Sequence, residues 1–405
     1  MKDSKHFCLI PWTHMHTWPN GNAYMCCGAD PNKPIGVMTD KTTLKDLWNS
    51  EQMKTNRLLM LQDKHVPECT RCYEIEENGG RSLRIDHNII FEHHIDILQE
   101  TNPDGSLDRL NMPYVDFRFS NFCNLRCRTC GPDLSSKWAS DHAKLNPSTA
   151  AKYAKVIKPD INPTIFWDQI DEIFPTIERV YFAGGEPLIM EEHYRLLDML
   201  LENGRTDVAL LYNTNFTSLK YKDKKVLDYW KHFKDVTVCA SLDSWGSRAE
   251  YMRKDLRWDI VEQNFMEVQE HCPHVRLDIG LTLSIFNFAT LVEYYDYMVN
   301  NKFIHADGLN INILTNPVWY KPSCIPIEYR LQIAEKYKQK LDYLVSKNLC
   351  GSIMRDRWQL AINYITNEEE PNNLPQFKQL TTRMDRLRSE SFVETFPELK
   401  FLFDE

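Results

Sequence analysis

The chain has 405 residues, 42% hydrophobic and 26% charged, with a net charge of −9 and 12 cysteines. That is enough apolar material for one large domain and a smaller one, and nothing in it reads as disordered. The acidic balance offers no electrostatic footprint for duplex nucleic acid or an anionic membrane, and no run reaches the roughly 20 apolar residues of a spanning helix.

The N-terminal MKDSKHFCLIPW lacks the apolar core of a secretion signal, so a cytoplasmic protein with reduced or metal-bound cysteines is expected. Residues 1 to about 110 hold five of the twelve cysteines, with turn-rich stretches at PNGN and ADPNKP. The five are Cys8, Cys26, Cys27, Cys69 and Cys72, and four such thiolates suit either one iron–sulfur cubane or one zinc ion. Cys27 adjoins Cys26 and is an alternative ligand. His14, His16, His93 and His94 lie where this block meets the next, and packing or surface roles are expected of them.

From about residue 111 the pattern becomes strand then helix, repeated. Strands are predicted at Tyr114 to Ser120, Arg179 to Ala183, Val208 to Asn213, Val236 to Asp243, Val275 to Ser284 and Gly308 to Leu314. Helices are predicted between them, as at Glu191 to Glu202, Trp258 to Glu270 and Thr290 to Asn300. Six such units predict an α/β fold, a partial (β/α)6 TIM-like barrel with its function at the carboxyl ends of the strands.

Side chains alternate between the faces of a strand. Val115, Phe117 and Phe119 oppose Asp116, Arg118 and Ser120, and Asp278, Asn310 and Asn312 likewise oppose apolar neighbours. With the apolar faces packed on outer helices, Asp116, Arg118, Asp278, Asn310 and Asn312 line a polar lumen, as substrate contacts or as an internally satisfied network. Cys239 shares that face, whereas Cys272, Cys324 and Cys350 read as core.

Two motifs sit at strand ends. Cys123-x3-Cys127-x2-Cys130 follows the first strand and Gly184-Gly185-Glu186-Pro187 follows the second. Structural zinc normally closes with four ligands; a local triplet leaves one iron of a cubane free to bind a small molecule. The glycines permit close backbone approach, and Glu186 offers a carboxylate to an ammonium group. From about Lys321 the chain is mostly helical, with Ile327 to Lys347 and Met354 to Ile365 followed by a break at Pro371 to Pro375. The expected division is 1–110, 111–320 and 321–405.

Residues 111 to about 315 resemble a radical SAM core, and residues 1 to 85 resemble the SPASM or twitch auxiliary-cluster module. The resemblance implies a 4Fe-4S cluster on Cys123, Cys127 and Cys130, with S-adenosylmethionine chelating its open iron. One electron then cleaves that nucleotide to a 5'-deoxyadenosyl radical, which removes hydrogen from a substrate. It further implies one auxiliary 4Fe-4S cluster on Cys8, Cys26, Cys69 and Cys72, since the cysteines for another are absent after Cys72.

Nucleotide contacts are implied for Gly184, Gly185, Glu186, Asn215, Ser241, Asp243 and Arg253. Three departures stand out. Phe216 replaces the glycine that usually follows Thr214-Asn215. Thr129 replaces an aromatic residue before the third cysteine, which transfers adenine packing to the region of Leu281 or Ile313. The module also precedes the core instead of following it. The expected activity is hydrogen abstraction from a polar substrate, with oxidation or bond formation assisted by the auxiliary cluster. The substrate is a small metabolite or, alternatively, a ribosomally made peptide, and flavodoxin or ferredoxin is the implied electron donor. A non-catalytic iron–sulfur or zinc scaffold is the reading from another class.

Overall fold

The computed structural model describes residues 4–77, 80–367 and 369–404. The first block contributes three short strands: β1 (His14–Thr17), β2 (Asn22–Tyr24) and β3 (Gly36–Val37). The six predicted strands follow as β4 (Tyr114–Phe117), β5 (Arg179–Phe182), β6 (Ala209–Thr214), β7 (Val236–Ala240), β8 (Arg276–Leu283) and β9 (Leu309–Ile313). All nine form one sheet in the order β9-β8-β7-β6-β5-β4-β1-β2-β3. β4 to β9 are parallel, as six strand–helix units require.

Helices α1 (Pro163–Ile173), α2 (Glu191–Glu202), α3 (Trp258–His271) and α4 (Leu291–Asn300) lie between the strands in sequence. The alternation predicted from sequence orders the two faces. Val180, Phe182, Leu210, Val238, Ile279 and Leu283 are buried in the hydrophobic core, each contributing about 1.5–3 kcal/mol relative to exposure. Arg118, Tyr181, Cys239 and Asn310 are half-buried on the other face, and Asn213 and Asn312 are exposed there. The lumen is therefore polar and open.

The first block does not stand apart from the barrel. β1 pairs in parallel with β4, matching His14 with Tyr114 and Thr17 with Phe117, and all four of its residues are buried. An uncovered β4 would present unpaired backbone groups. The long connection between the strands, residues 18–113, supplies the crossover that a parallel pair needs.

The opposite edge is covered from the C-terminal block, where α5 (Ile327–Ser346), α6 (Ser352–Thr366) and α7 (Leu374–Arg388) follow one another. Tyr364 of α6 donates to the Leu314 carbonyl at 2.6 Å, just past β9. The fully buried Arg330 of α5 donates to the carbonyls of Ile325, Ile365 and Asn367 at 2.7–2.8 Å, satisfying carbonyls that the end of α6 leaves open. Pro371 starts a short turn before α7, so the predicted break separates two helices. Among the described residues no helix is long and apolar enough to cross a membrane.

Candidate functional site

The cysteine triplet lies in the loop leaving β4, and its backbone is locked from several directions. The Ser120 hydroxyl accepts from the Phe122 N–H at 3.2 Å, and the Asn121 amide donates to the Pro132 carbonyl at 2.8 Å. Against this loop lies the turn after β5. A Cβ at Gly185 would come within 2.1 Å of the Phe122 carbonyl oxygen, and Gly184 has φ +83° with Arg118 beside it. Glu186 N–H donates to the same Phe122 carbonyl at 2.7 Å. At Gly185 the missing side chain admits the backbone of the cysteine loop itself.

Glu186 is fully buried, with both carboxylate oxygens engaged. Oε1 accepts from the Thr214 hydroxyl at 2.6 Å and from Leu188 N–H at 3.1 Å, and Oε2 accepts from Asn215 N–H at 2.6 Å. Burial pushes its carboxyl up to about 7 against the lowering effect of these donors. Asn215 also donates to Asn124 at 2.8 Å and points its amide at the Cys123 sulfur at 3.9 Å. Glu186, Asn215 and the cysteine loop therefore form one hydrogen-bonded unit.

Phe216 occupies the left-handed region at φ +58°, which explains why glycine is usual there. Its ring is fully buried against Phe265 at 4.8 Å between centroids. Left-handed backbone costs about 1–2 kcal/mol, whereas deleting a buried phenylalanine costs about 3–5 kcal/mol. Phe216→Gly is therefore expected to destabilise the protein by roughly 2 kcal/mol net in denaturant unfolding; unchanged or increased stability would refute the packing argument.

Arg253, a nucleotide contact by the resemblance, lies at 9% exposure in a two-residue strand Arg253–Lys254 that pairs with Arg126–Cys127. Its guanidinium lies 2.8 Å from the Asp243 carboxylate and donates to the Cys127 sulfur at 3.5 Å. Asp243 is also buried and accepts from Thr282 N–H at 2.8 Å. Ser241 is half-buried at the end of β7, and its N–H donates to the Thr214 carbonyl at 2.7 Å. Glu186, Asn215, Ser241, Asp243 and Arg253 thus gather around the triplet.

Sequence reasoning missed a second clamp on the triplet. Arg128, between the second and third cysteines, has no exposed side-chain surface. It reaches Asp385 at 2.6 Å and Glu390 at 2.7 Å, and lies 3.7 Å over the Tyr251 ring. Arg388 of α7 bonds Asp141 at 2.9 Å and lies over Trp138, whose indole donates to the Cys127 carbonyl at 2.9 Å. An arginine between ligand cysteines was the available signal, but no local pattern announced its distant partners.

Among the described residues, no three cysteine sulfurs lie within 4.8 Å of one another. Cys8, Cys26, Cys69 and Cys72 are nevertheless all buried and line one cleft with Met25, Glu68 and Arg84. Convergent sulfurs suit a multi-iron cluster. Burial raises the Cys123 and Cys130 thiols to about 12, so thiolates there need a positive partner. Cys27 is exposed and does not line the cleft of the other four; its charged neighbours include Asp116 and Arg118 of the lumen.

The lumen candidates divide. Asp116 Oδ2 meets His16 Nδ1 at 2.8 Å in a fully buried pair, and Arg118 lies 3.6 Å from Oδ1. Burial alone would raise Asp116, but His16 and Arg118 hold it below the usual carboxylate range. His16 Nε2, Asp116 Oδ1 and Arg118 Nε keep no hydrogen-bond partner. Asn312 is exposed near the carboxyl end of β9, and Asn310 donates to the Cys239 sulfur at 3.6 Å. Asp278 is different: near the amino end of β8, it accepts both its hydrogen bonds from Arg276 at 3.0 Å, away from the cysteine loop. Leu281 is fully buried on the helix-facing side, so it is turned away from any adenine in the lumen; Ile313 is half-buried.

Residues 8–73 match the family described as SPASM, an iron-sulfur cluster-binding domain. Over 154 residues the chain is 21% identical to a GTP 3',8-cyclase of Campylobacter lari, a match covering 38% of this chain and 39% of the cyclase. The chain therefore spans well under half the length of that curated relative. Among solved structures, anSMEcpe with bound AdoMet and Cp18Cys peptide is similar at 15% identity and a TM-score of 0.40, over 57% of this chain and 60% of that one. TYW1 with a lysine-pyruvate adduct is similar at 12% identity and a TM-score of 0.29, over 56% and 70%.

Proposed function

We propose that this chain, a radical SAM protein with a SPASM-type cluster-binding module at residues 8–73, is an oxidoreductase or maturase acting in the cytoplasm on a small polar metabolite. Residues 1–110 then serve as the cluster module, 111–320 as the barrel and 321–405 as a helical cover. The reading rests above all on three thiols gathered in one loop that is held against the Gly184-Gly185-Glu186 turn.

Cys123, Cys127 and Cys130 would hold the nucleotide-binding 4Fe-4S cluster, and Cys8, Cys26, Cys69 and Cys72 the auxiliary one. With S-adenosylmethionine bound, that pair of cofactors supplies a 5'-deoxyadenosyl radical for hydrogen abstraction and a second centre to accept an electron. The protein's own part is positioning. Glu186 lies beside Cys123 and Asp243 beside Cys127, Arg253 and Asn215 direct N–H groups at the sulfurs, and Gly185 admits the turn to the loop. The His16–Asp116–Arg118 group, with its unpartnered donors and acceptor, offers the polar contacts that a substrate hydroxyl or carboxylate needs.

An electron must arrive from outside, and local charge suggests the donor's face. Between residues 137 and 158 five lysines stand against one carboxylate, the buried Asp141, in a chain of net charge −9. Lys137, Lys144, Lys152, Lys155 and Lys158 are exposed. Ile157 exchanges hydrogen bonds with Asn121 at 2.8–2.9 Å, two residues before Cys123. An acidic carrier such as flavodoxin or ferredoxin fits this face.

Anaerobic reconstitution with S-adenosylmethionine and dithionite should yield 5'-deoxyadenosine; a fully loaded protein that forms none would be a scaffold. Reversing Lys152, Lys155 and Lys158 together to glutamate should slow flavodoxin-supported turnover about tenfold and leave dithionite-supported turnover unchanged. Equal slowing with both reductants would move the docking face elsewhere.

A further inference from the structure

At the other end of the barrel lies a group that the radical chemistry does not use. His93 and His94 begin a 3-10 segment, Glu92–Glu100, in the first block, and Glu178 immediately precedes β5. Glu178 therefore sits at the amino ends of the strands, opposite the cysteine loop. Its N–H donates to the Pro113 carbonyl at 2.9 Å, which fixes it beside the start of β4.

Consecutive residues of a helical turn point in directions roughly 100–120° apart. Here two neighbours converge instead. The imidazole centroids of His93 and His94 are 4.3 Å apart, and each ring packs 6.2 Å from the buried Phe91. His93 Nε2 meets Glu178 Oε2 at 2.9 Å, and His94 Nε2 meets Oε1 at 2.8 Å. The ligating atoms of all three side chains lie within 4.8 Å of one another, the one such group among the described residues.

We propose that His93, His94 and Glu178 bind a divalent first-row transition ion, zinc foremost, that pins the first block to the foot of the barrel. Two imidazoles and a carboxylate favour zinc, nickel or copper over magnesium or calcium. With bonds of about 2.0–2.1 Å, tetrahedral ligands stand roughly 3.3 Å apart, so the observed contacts need to open by only about half an ångström. Each imidazole would present a lone pair at Nε2 and carry its proton on Nδ1. Solvent would complete the coordination, since the His93 side chain is 58% exposed. Placed away from the triplet, the ion would act on stability and not on the reaction.

This assignment is independent of the proposed function, and its test reads metal content. The anaerobic, cluster-loaded protein is stripped with a mild chelator, dialysed against micromolar zinc and analysed for zinc and iron. The parent should hold about one zinc more per chain than Glu178→Gln, His94→Ala or His93→Ala, with iron equal in all four. Zinc should also raise the melting temperature of the parent but not of Glu178→Gln. Equal zinc in parent and variants would overturn the proposal, as would a parent that takes up none. Should a buried-face variant lose iron and so prove misfolded, His93→Ala, at the exposed position, decides the matter by the same zinc difference.

Discussion

Cys127→Ala is expected to abolish 5'-deoxyadenosine formation and to lower iron from about eight to about four atoms per chain after reconstitution. Cys127 is the most buried of the three loop cysteines and the one whose sulfur receives the Arg253 guanidinium. Two remaining thiols cannot hold a cubane that three anchored. The matching control is Cys272→Ala, a buried core position whose thiol donates to the Leu227 carbonyl, which should keep full iron and product. Product formation by the Cys127 variant at the parental rate would remove the basis of the reading.

The second large effect concerns Arg253. Its guanidinium is the ion-pair partner of Asp243, which is 1% exposed. Arg253→Ala leaves that carboxylate buried with only the Thr282 N–H. Breaking a buried pair by removing one partner costs about 3–5 kcal/mol, a large share of the roughly 5–15 kcal/mol that holds a typical protein folded. The variant should therefore unfold at markedly lower denaturant and bind S-adenosylmethionine weakly. Arg253→Lys keeps the charge but not the fork that spans carboxylate and sulfur, so it should recover stability better than nucleotide binding. A variant with parental stability and affinity would show that the pair is dispensable.

Much of the barrel is legible in the sequence because period-two alternation is a local signal. Glu191–Glu202 is predicted with its observed ends, and β4 to β9 are each found within a few residues. β4 stops at Phe117, short of the predicted Ser120, because Ser120 and Asn121 turn their polar groups to holding the cysteine loop. Spacing also brings out the cysteine triplet and the turn at Gly184, whereas the four-cysteine set comes from the resemblance of the first block to a SPASM-type module. What stays hidden is pairing between remote segments: β1 on β4 across 100 positions, Arg253 on Cys127, and the approach of Gly185 to Phe122. Such contacts are set by the assembly of the sheet and of the loops at its strand ends, and no window of sequence contains both partners. Asp278 illustrates the reverse error, since alternation gives the face of a strand but not the height along it.

The lock on Arg128 comes from Asp385 and Glu390, separated from it in sequence by 257 and 262 positions. During synthesis the three loop cysteines leave the ribosome while both of those carboxylates are still untranslated. A guanidinium that ends with no exposed surface stays hydrated until α7 and the residues just after it arrive. The cysteine loop therefore reaches its settled order only once residues 385–390 have been made and have folded against it.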